Sequence, residues 1–276
     1  PNVARIDYSE DVNGVLLLEP QSTNLYLNSE LNNVENTTVT ATPYTVFLYG
    51  TGTITFSGAY VGTLVGTGVN DKVEITFTPS AGTLTSTDSG SVDKKQLENL
   101  GYSTSYIPTS GATATRLADV VNNAGDVNSF NSEEGVLYAE IAALANDGTL
   151  RMIGVSDGTE NNVVNFYYRT DANKITIRLK SGNSQVIFEN FDITATNFSK
   201  VAFRYKSGES NLFIDGVKQK ASDYTTTNMP SGLNELAFDS GGGGQFFYGN
   251  VKALKVFKTA LTDQQLTSLT TLGYIE

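Results

Sequence analysis

The sequence predicts an all-β protein made of two antiparallel β-sandwiches with one short C-terminal helix. Aromatic residues favour pleated strands, and the chain holds 14 Tyr and 14 Phe but no Trp. Its 26 Gly supply turns between short alternating segments, whereas long helical patterns are absent. At 276 residues the chain exceeds the size at which one hydrophobic core usually stops growing, so we expect two domains.

Residues 37–97 consist of short segments that alternate apolar and polar side chains between turns. The clearest is residues 72–78, where Val73, Ile75 and Phe77 alternate with Lys72, Glu74 and Thr76. Because side chains on a strand point alternately to opposite faces, the three apolar residues should face a core and the three polar ones should face outward. Strands this short and evenly spaced favour an antiparallel sandwich.

The second half shows longer strands at residues 135–144, 150–155, 163–169, 174–180, 185–188, 201–206, 211–214 and 251–257. Hairpin-type turns are expected at residues 146–148, 156–158 and 215–216, each of which contains Asp-Gly. Residues 105–132 carry little periodic apolar content, and 116–121 is predicted as the first strand of the following domain. The predicted domains are 1–106 and 133–276, joined by a linker at 107–132. Residues 16–18 are all Leu and must be buried, but either domain can receive them.

A short helix is predicted directly after the last strand. Thr262 can accept a hydrogen bond from the first helical turn while Gln265, three residues on, reaches back to the Thr262 backbone, which is the capping-box pattern. Leu266 and Leu269 then fall on one helix face.

Three segments at the ends of the first domain resemble a known family. They are VLLLEPQSTN (15–24), QLE (96–98) and TSYIPTSGATATR (104–116). They resemble the frame around a carbohydrate-binding-module-like, jelly-roll β-domain of bacteriophage tail and virion proteins. The resemblance implies a virion or extracellular location, other virion proteins as partners, a homotrimer, and adhesion to a host cell-surface glycan.

The end of the second domain resembles another family. NLFIDGVK (211–218) followed by VKALKVFKTALTDQQLTSL (251–269) resembles the concanavalin A-like or laminin-G-like lectin sandwich over residues 133–276. Many laminin-G-like domains hold calcium at a loop edge. Because Asp147, Asp157, Asp215 and Asp239 do not follow the spacing of a dedicated calcium loop, no cofactor or metal is assigned.

Composition excludes several functions. With no His and no Cys, the chain has no Ser-His-Asp or Cys-His catalytic site, no thiolate and no disulfide. Its net charge of −11 repels phosphate backbones, which argues against nucleic-acid binding and against anionic membrane surfaces. No apolar run approaches the roughly 20 residues that span a bilayer, so no membrane insertion is expected. Because the first residue is Pro1, we expect a processed chain or a piece of a longer polypeptide.

Two aromatic clusters, residues 166–169 and 245–248, are candidates for sugar binding. Sugars stack their C–H faces on aromatic rings, while amide, carboxylate and guanidinium groups bind the hydroxyls. In the first cluster, strand alternation places Phe166 and Tyr168 on one side and Tyr167 and Arg169 on the other, so half of these rings belong to the core. The predicted glycan-binding residues are Asp157, Asn161, Tyr167, Arg169, Gln245 and Tyr248.

Other interpretations have less support. The tetraglycine 241–244 lacks the Gly-Lys-Ser/Thr of a phosphate loop and is read as a loop between two strands. Glu133, Glu134, Glu140 and Glu189 do not form the Glu-x-Asp-x-x-Glu strand of the concanavalin-like glucanases, so no enzyme is predicted. A purely structural phage component (capsid decoration, head fibre or tail assembly protein) and an accessory carbohydrate-binding region of a polysaccharide-degrading enzyme stay open as alternatives.

Overall fold

The computed structural model describes residues 4–9 and 11–273. It divides into two compact units: the inserted unit, Pro20–Ala118, and the main unit, Pro1–Glu19 together with Asp119–Glu276. The predicted boundaries at 106 and 133 differ from this division. The leading segment groups with the main unit, and the first part of the predicted linker groups with the inserted unit.

Among the described residues, 21 strands and one helix are found, in agreement with the all-β prediction. The leading segment and the inserted unit contain β1 (Arg5–Asp7), β2 (Val15–Leu18), β3 (Ser22–Asn24), β4 (Val34–Val39), β5 (Tyr44–Gly50), β6 (Thr53–Gly58), β7 (Gly62–Val65), β8 (Gly68–Phe77), β9 (Gly82–Ser89), β10 (Val92–Glu98) and β11 (Ala114–Arg116). The rest contains β12 (Glu134–Ala143), β13 (Arg151–Ser156), β14 (Val163–Tyr168), β15 (Lys174–Ser181), β16 (Ser184–Asp192), β17 (Ser199–Lys206), β18 (Asn211–Ile214), β19 (Val217–Lys218), β20 (Glu235–Ala237), β21 (Gly249–Phe257) and α1 (Asp263–Thr270).

The inserted unit is built from a three-stranded sheet in the order β10-β5-β8 and a four-stranded sheet in the order β4-β9-β6-β7. Their apolar side chains share one core, which includes Val46, Leu48, Ile54, Phe56 and Leu84. The alternation predicted for residues 72–78 is confirmed: Val73, Ile75 and Phe77 pack in or against this core, while Lys72, Glu74 and Thr76 are exposed on the other face.

Residues 22–24 and 114–116 hold the ends of the inserted unit together. β3 pairs with β11 in an antiparallel ribbon, with Arg116 opposite Ser22. Asn24 has no exposed surface, and its side-chain amide donates to the carbonyls of Lys95 (3.2 Å) and Ile107 (2.9 Å). Buried polar groups need such partners, and this asparagine links the segment that contains Ile107 to β10.

The main unit is a sandwich of a seven-stranded sheet, β1-β2-β21-β12-β17-β18-β19, and a five-stranded sheet, β16-β15-β14-β13-β20. The apolar core includes Leu137 and Phe203 from the larger sheet and Phe166, Tyr168 and Ile177 from the smaller one. The prediction that Phe166 and Tyr168 share one side is therefore confirmed, and that side is the core. β2 pairs with β21, and Leu18 is part of this core, so the leucine run belongs to the main unit.

Helix α1 begins as predicted. The Thr262 hydroxyl accepts a hydrogen bond from the Gln265 backbone N–H (3.3 Å), and the Gln265 side chain accepts one from the Thr262 N–H (2.9 Å). Leu266 is fully buried and Leu269 packs beside it, with Tyr138 and Phe213 of the seven-stranded sheet in the same cluster. No helix in the described part of the chain has the length and apolarity needed to cross a membrane.

Two local predictions were wrong. Residues 116–121 do not start the second sandwich, because Arg116 ends the strand that pairs with β3. Residues 146–148 do not close a hairpin, because β12 and β13 lie in different sheets. The Asp215-Gly216 turn is confirmed: both residues have positive φ, 48° and 84°, and the turn joins the paired strands β18 and β19.

Candidate functional site

The candidate site is the outer face of the five-stranded sheet, which is the face turned away from the main core. The strand register sets its side chains in two neighbouring rows. The first row contains Gly154, Asn165, Arg178 and Phe188, and the second contains Met152, Tyr167, Thr176 and Asn190. Polar and charged residues thus occupy the central strands on this face. On the outer face of an ordinary sandwich, such residues serve only to keep the protein soluble.

Arg178 is the centre of the first row and is only 8 % exposed. Its guanidinium donates to Asn165 Oδ1 (3.3 Å), to Glu160 Oε2 (3.2 Å) and to the Ser240 carbonyl (3.0 Å). Asn165 has no exposed surface, and its Nδ2 has no hydrogen-bond partner in the described part of the chain. Gly154 is required beside it, since a Cβ there would lie 2.7 Å from the Asn165 Cβ. Asn165, Arg178, Glu160 and Ser240 thus form a tightly constrained polar layer on the outer face of this sheet.

The accessible part of this face lies over β15 and β16. Phe188 is 43 % exposed, and the guanidinium carbon of Arg169 lies 5.6 Å from the centre of its ring. The Thr176 hydroxyl donates to Asn190 Oδ1 (2.7 Å). Asn190 is exposed, and its Nδ2 remains without an acceptor among the described residues. An exposed aromatic ring and an exposed amide therefore lie beside the partly buried guanidinium of Arg169.

Tyr167 lies on this face, as the alternation predicts, but only 5 % of it is exposed. The Arg178 guanidinium is 5.9 Å from the centre of its ring. Burial raises the pKa of Tyr167, so the phenol stays protonated. Its role in the structure is to support Arg178 from within the layer.

The loop 238–248 between β20 and β21 folds back to this layer, which agrees with the prediction of a loop for the tetraglycine. Ser240 accepts from Arg178, and a Cβ on Gly241 (φ +90°) would lie 2.9 Å from the Ser156 Cβ. Asp239 is buried and accepts a hydrogen bond from the Gly241 N–H (2.6 Å). Burial raises the pKa of Asp239.

Asp157 and Asn161 lie in the turn between β13 and β14. The Asp157 carboxylate accepts hydrogen bonds from the Thr159 hydroxyl (2.6 Å) and N–H (3.0 Å) and from the Asn162 amide (2.8 Å). Burial alone would raise the pKa of Asp157, but these hydrogen bonds outweigh it and lower the pKa. Asn161 is exposed, and its N–H donates to the Thr159 hydroxyl (3.0 Å). This carboxylate holds its own turn.

The structure does not bring all six predicted residues together. At about 3.4 Å per strand residue, the turn with Asp157 and Arg169 at the far end of β14 are about 20 Å apart. Gln245 is exposed with φ +56°, and its carbonyl accepts from the Met152 N–H (3.2 Å). Tyr248 is half-buried, with its ring centre 6.3 Å from that of Phe246.

The sequence analysis missed Asn165, Arg178, Phe188 and Asn190, which build most of the site. A signal was present in residues 174–180, where four polar side chains alternate with Ile175, Ile177 and Leu179. The same pattern describes any half-exposed strand, so it did not single out Arg178.

Metal ligands do not cluster in the part of the chain that the structure describes, where no group of three or more Asp or Glu side chains could hold an ion. Asp147 binds Arg151 at 2.7 Å, and Asp215 accepts from the Lys200 N–H at 2.8 Å. The carboxylates considered for catalysis are also separated: Glu140 is on the seven-stranded sheet and Glu189 on the five-stranded one.

Comparison with known proteins gives one family. Residues 122–267 match the model of the concanavalin A-like lectin/glucanases superfamily, which is more than half of the chain. No curated protein sequence matches.

Three solved structures illustrate the structural likeness. CBM40 of the IT-sialidase from Ruminococcus gnavus has 17 % identity and a TM-score of 0.37 over 51 % of this chain and 84 % of that one. Domain 4 of AbnA, an extracellular arabinanase from Geobacillus stearothermophilus solved with arabinotriose, has 14 % identity and a TM-score of 0.42 over 58 % and 73 %. The heptameric SAP-like pentraxin of Limulus polyphemus has 14 % identity and a TM-score of 0.44 over 56 % and 76 %.

Proposed function

Since the chain belongs to the concanavalin A-like lectin/glucanase superfamily, we propose that its main unit binds carbohydrate on the outer face of the five-stranded sheet. The observation that carries this proposal is the exposed Phe188 ring, flanked by the Arg169 guanidinium and set next to the exposed amide of Asn190. A sugar offers the complementary surface, because its C–H face is apolar and its edge carries hydroxyls.

Each group on this face has a part in binding. Phe188 stacks on the sugar ring, Asn190 Nδ2 donates to a hydroxyl oxygen, and Arg169 binds a second oxygen. The layer beneath keeps these groups in place, since Thr176 fixes the Asn190 amide and Arg178 is held from three sides. A site held in one geometry loses less conformational entropy on binding.

The proposed activity is binding without catalysis. Glycoside hydrolysis needs one carboxylic acid with a raised pKa beside a second carboxylate. Near this face, the pKa of Glu160 is lowered by a hydrogen bond from Ser240 and by the charge of Arg178, which together outweigh burial. The pKa of Glu189 is lowered by its hydrogen bond from Tyr224 and by Lys220. The raised pKa of Asp239 belongs to a carboxyl that is buried and bonded within its own loop.

We place this binding on the surface of a virion, outside the cell, with a host-surface glycan as the ligand. The support is the resemblance of residues 15–24 and 96–116 to the frame of a phage virion domain. Antibodies against this chain should label intact purified virions, and labelling of the producing cells alone would overturn this assignment. The same resemblance suggests a homotrimer. Light scattering on the full chain measures this oligomeric state.

The binding proposal is tested on a glycan array with the full chain, once with calcium and once with chelator. Phe188→Ala and Arg169→Gln should each abolish or strongly weaken the signal seen for the unmodified chain. Lys206→Gln is the matched control, because it also breaks a local ion pair on the surface of the main unit, with Glu209 at 3.0 Å. A clean negative for the folded chain on every glycan, or equal loss in the control, would overturn the proposal.

A further inference from the structure

The inserted unit buries a lysine that the proposed sugar site does not use. Lys95 on β10 has no exposed surface, and its ammonium lies 5.0 Å from the centre of the ring of Tyr26, which is also fully buried. The ammonium pairs with the carboxylate of Asp88 on β9, whose side chain likewise has no exposed surface. Burying two charges is costly, and their attraction repays that cost only in part. Lys95 therefore needs an explanation beyond stability.

The side-chain amide of Asn33 lies against this amine. Lys95 Nζ donates to Asn33 Oδ1 at 2.6 Å, and because Cγ is bonded to Oδ1, Nζ also lies close to the amide carbon. Asn33 Nδ2 donates to Oε1 of Glu35 at 2.9 Å, and Glu35 is only 4 % exposed. The Asn33 backbone is fixed as well, since its N–H donates to Asp88 Oδ2 (3.1 Å) and its carbonyl accepts from the Asp88 N–H (3.2 Å). The carboxamide is therefore held in one position beside the lysine.

The Asp88 carboxylate is only half satisfied. Its Oδ2 accepts from Lys95 and from the Asn33 N–H, whereas its buried Oδ1 has no hydrogen-bond partner among the described residues. A buried polar atom without a partner is costly and calls for an explanation. Transfer of the lysine proton to Asp88 removes both charges of the pair and leaves a neutral amine beside the Asn33 amide carbon. A buried neutral amine is an activated nucleophile.

We propose that Lys95 and Asn33 form an isopeptide bond inside the folded inserted unit. Asp88 accepts a proton from the Lys95 ammonium, and the free amine attacks Asn33 Cγ. Glu35 carries a second proton from the attacking nitrogen to Nδ2, the Cγ–Nδ2 bond breaks, and ammonia leaves. One ammonium, one carboxylate and one primary amide thus become a secondary amide, a neutral carboxylic acid and ammonia. Atoms and charge balance without a co-reactant.

The surroundings of these groups favour the product. The reaction replaces a buried ion pair by neutral groups, so the desolvation cost of two charges disappears. Asn33 is half-buried, which gives the ammonia a path to solvent. The bond joins the segment directly before β4 to β10, and these two strands belong to different sheets of the unit. A chain without Cys thereby gains a covalent cross-link between its sheets.

Mass spectrometry of the full folded chain tests this proposal. The intact chain should be lighter than its sequence by one ammonia molecule, and a tryptic digest should contain a branched peptide in which Lys95 is joined to Asn33. Lys95→Arg and Asn33→Ala should each have the mass of their own sequence. Lys94→Arg is the matched control, because Lys94 is the exposed neighbour on the same strand, and it should still lose ammonia.

Glu35→Gln tests the proton transfer separately from folding. The glutamine oxygen can still accept from Asn33 Nδ2 and from the Asn28 N–H, which donates to Glu35 at 3.0 Å in the unmodified chain. A neutral amide cannot carry the proton, so ammonia loss after cell-free synthesis should slow about a hundredfold or more. An unchanged rate would overturn the role given to Glu35.

Three results would overturn the cross-link itself. They are a mass equal to that of the sequence after prolonged incubation of the folded chain, ammonia loss confined to a linear peptide, as a succinimide at Asn13 would give, and equal loss in Lys95→Arg and Lys94→Arg. Phe188→Ala should retain the cross-link, so failure of the sugar site and failure of this proposal are distinguished.

Discussion

Replacing Arg178 by Met tests whether the outer face of the five-stranded sheet is a hydrogen-bonded layer. The guanidinium satisfies Asn165 Oδ1 and the Ser240 carbonyl, and both residues are at most 1 % exposed. Leaving a buried acceptor unsatisfied costs about 1–3 kcal/mol. The contact with Glu160 adds about 0–1 kcal/mol, because that carboxylate is partly exposed. Apolar packing of the Met side chain offsets part of this loss, so we expect a destabilisation of about 3 kcal/mol.

Calorimetry of the full chain measures this loss. A destabilisation of about 3 kcal/mol lowers the melting temperature of a unit of this size by about 6–12 °C. The transition of the inserted unit should not move and serves as an internal reference. Arg169→Met is the matched control: its ion pair with Asp171 at 3.4 Å is partly exposed and worth about 0–1 kcal/mol, and its contact with the exposed Phe188 ring is worth about 0.5–1 kcal/mol.

A second substitution separates the lost hydrogen bonds from other effects. Asn165→Leu removes the amide that Arg178→Met leaves stranded, so the double variant should be more stable than the sum of the two single losses predicts. Strict additivity, or equal shifts for Arg178→Met and Arg169→Met, would refute the description of this layer.

Three further predictions concern other parts of the chain. Glu98→Gln should destabilise the inserted unit by about 1–3 kcal/mol. A neutral amide cannot accept hydrogen bonds from the Thr104 N–H, the Thr104 hydroxyl and the Ser22 hydroxyl together, as the carboxylate does. Calorimetry that shows a loss of stability only in the main unit would contradict this. Thr262→Ala should cost about 1 kcal/mol through the lost helix cap, measured by urea unfolding, and exposed Thr267→Ala should cost less. The lowered pKa of Glu160 stabilises the fold above pH 4.5, the ordinary pKa of a glutamate, and this stabilisation is lost as the pH falls below that value. Glu160→Gln should therefore reduce the drop in melting temperature between neutral and acidic pH. An unchanged drop would contradict this prediction.

Local patterns in the sequence predicted those structural features that depend only on residues close together in the chain. The alternation around Val73 located both faces of β8, and the Thr262–Gln265 pair located the start of α1, because each involves residues within one element. The outward orientation of Tyr167 followed from the same rule. Its burial did not, since it depends on Arg178, which lies on another strand.

Features that depend on distant residues could not be predicted in the same way. The leucine run pairs with β21, more than two hundred residues later, and no local pattern selects that partner. Residues 107–118 have few periodic apolar side chains and were taken for linker. Their backbone is held by side chains: Asn24 donates to the Ile107 carbonyl, while Gln96 and Ser29 accept hydrogen bonds from the N–H groups of Ile107 and Thr109. Apolar periodicity does not reveal such contacts.

The central claim is that the outer face of the five-stranded sheet binds sugar, and the most direct measurement is a crystal structure of the full chain with a glycan selected on the array. The account predicts a sugar ring stacked on Phe188, with hydroxyls bound by Asn190 and Arg169 and with Arg178 unmoved beneath it. A glycan bound in the main unit away from Phe188, with this face left in solvent, would contradict the account.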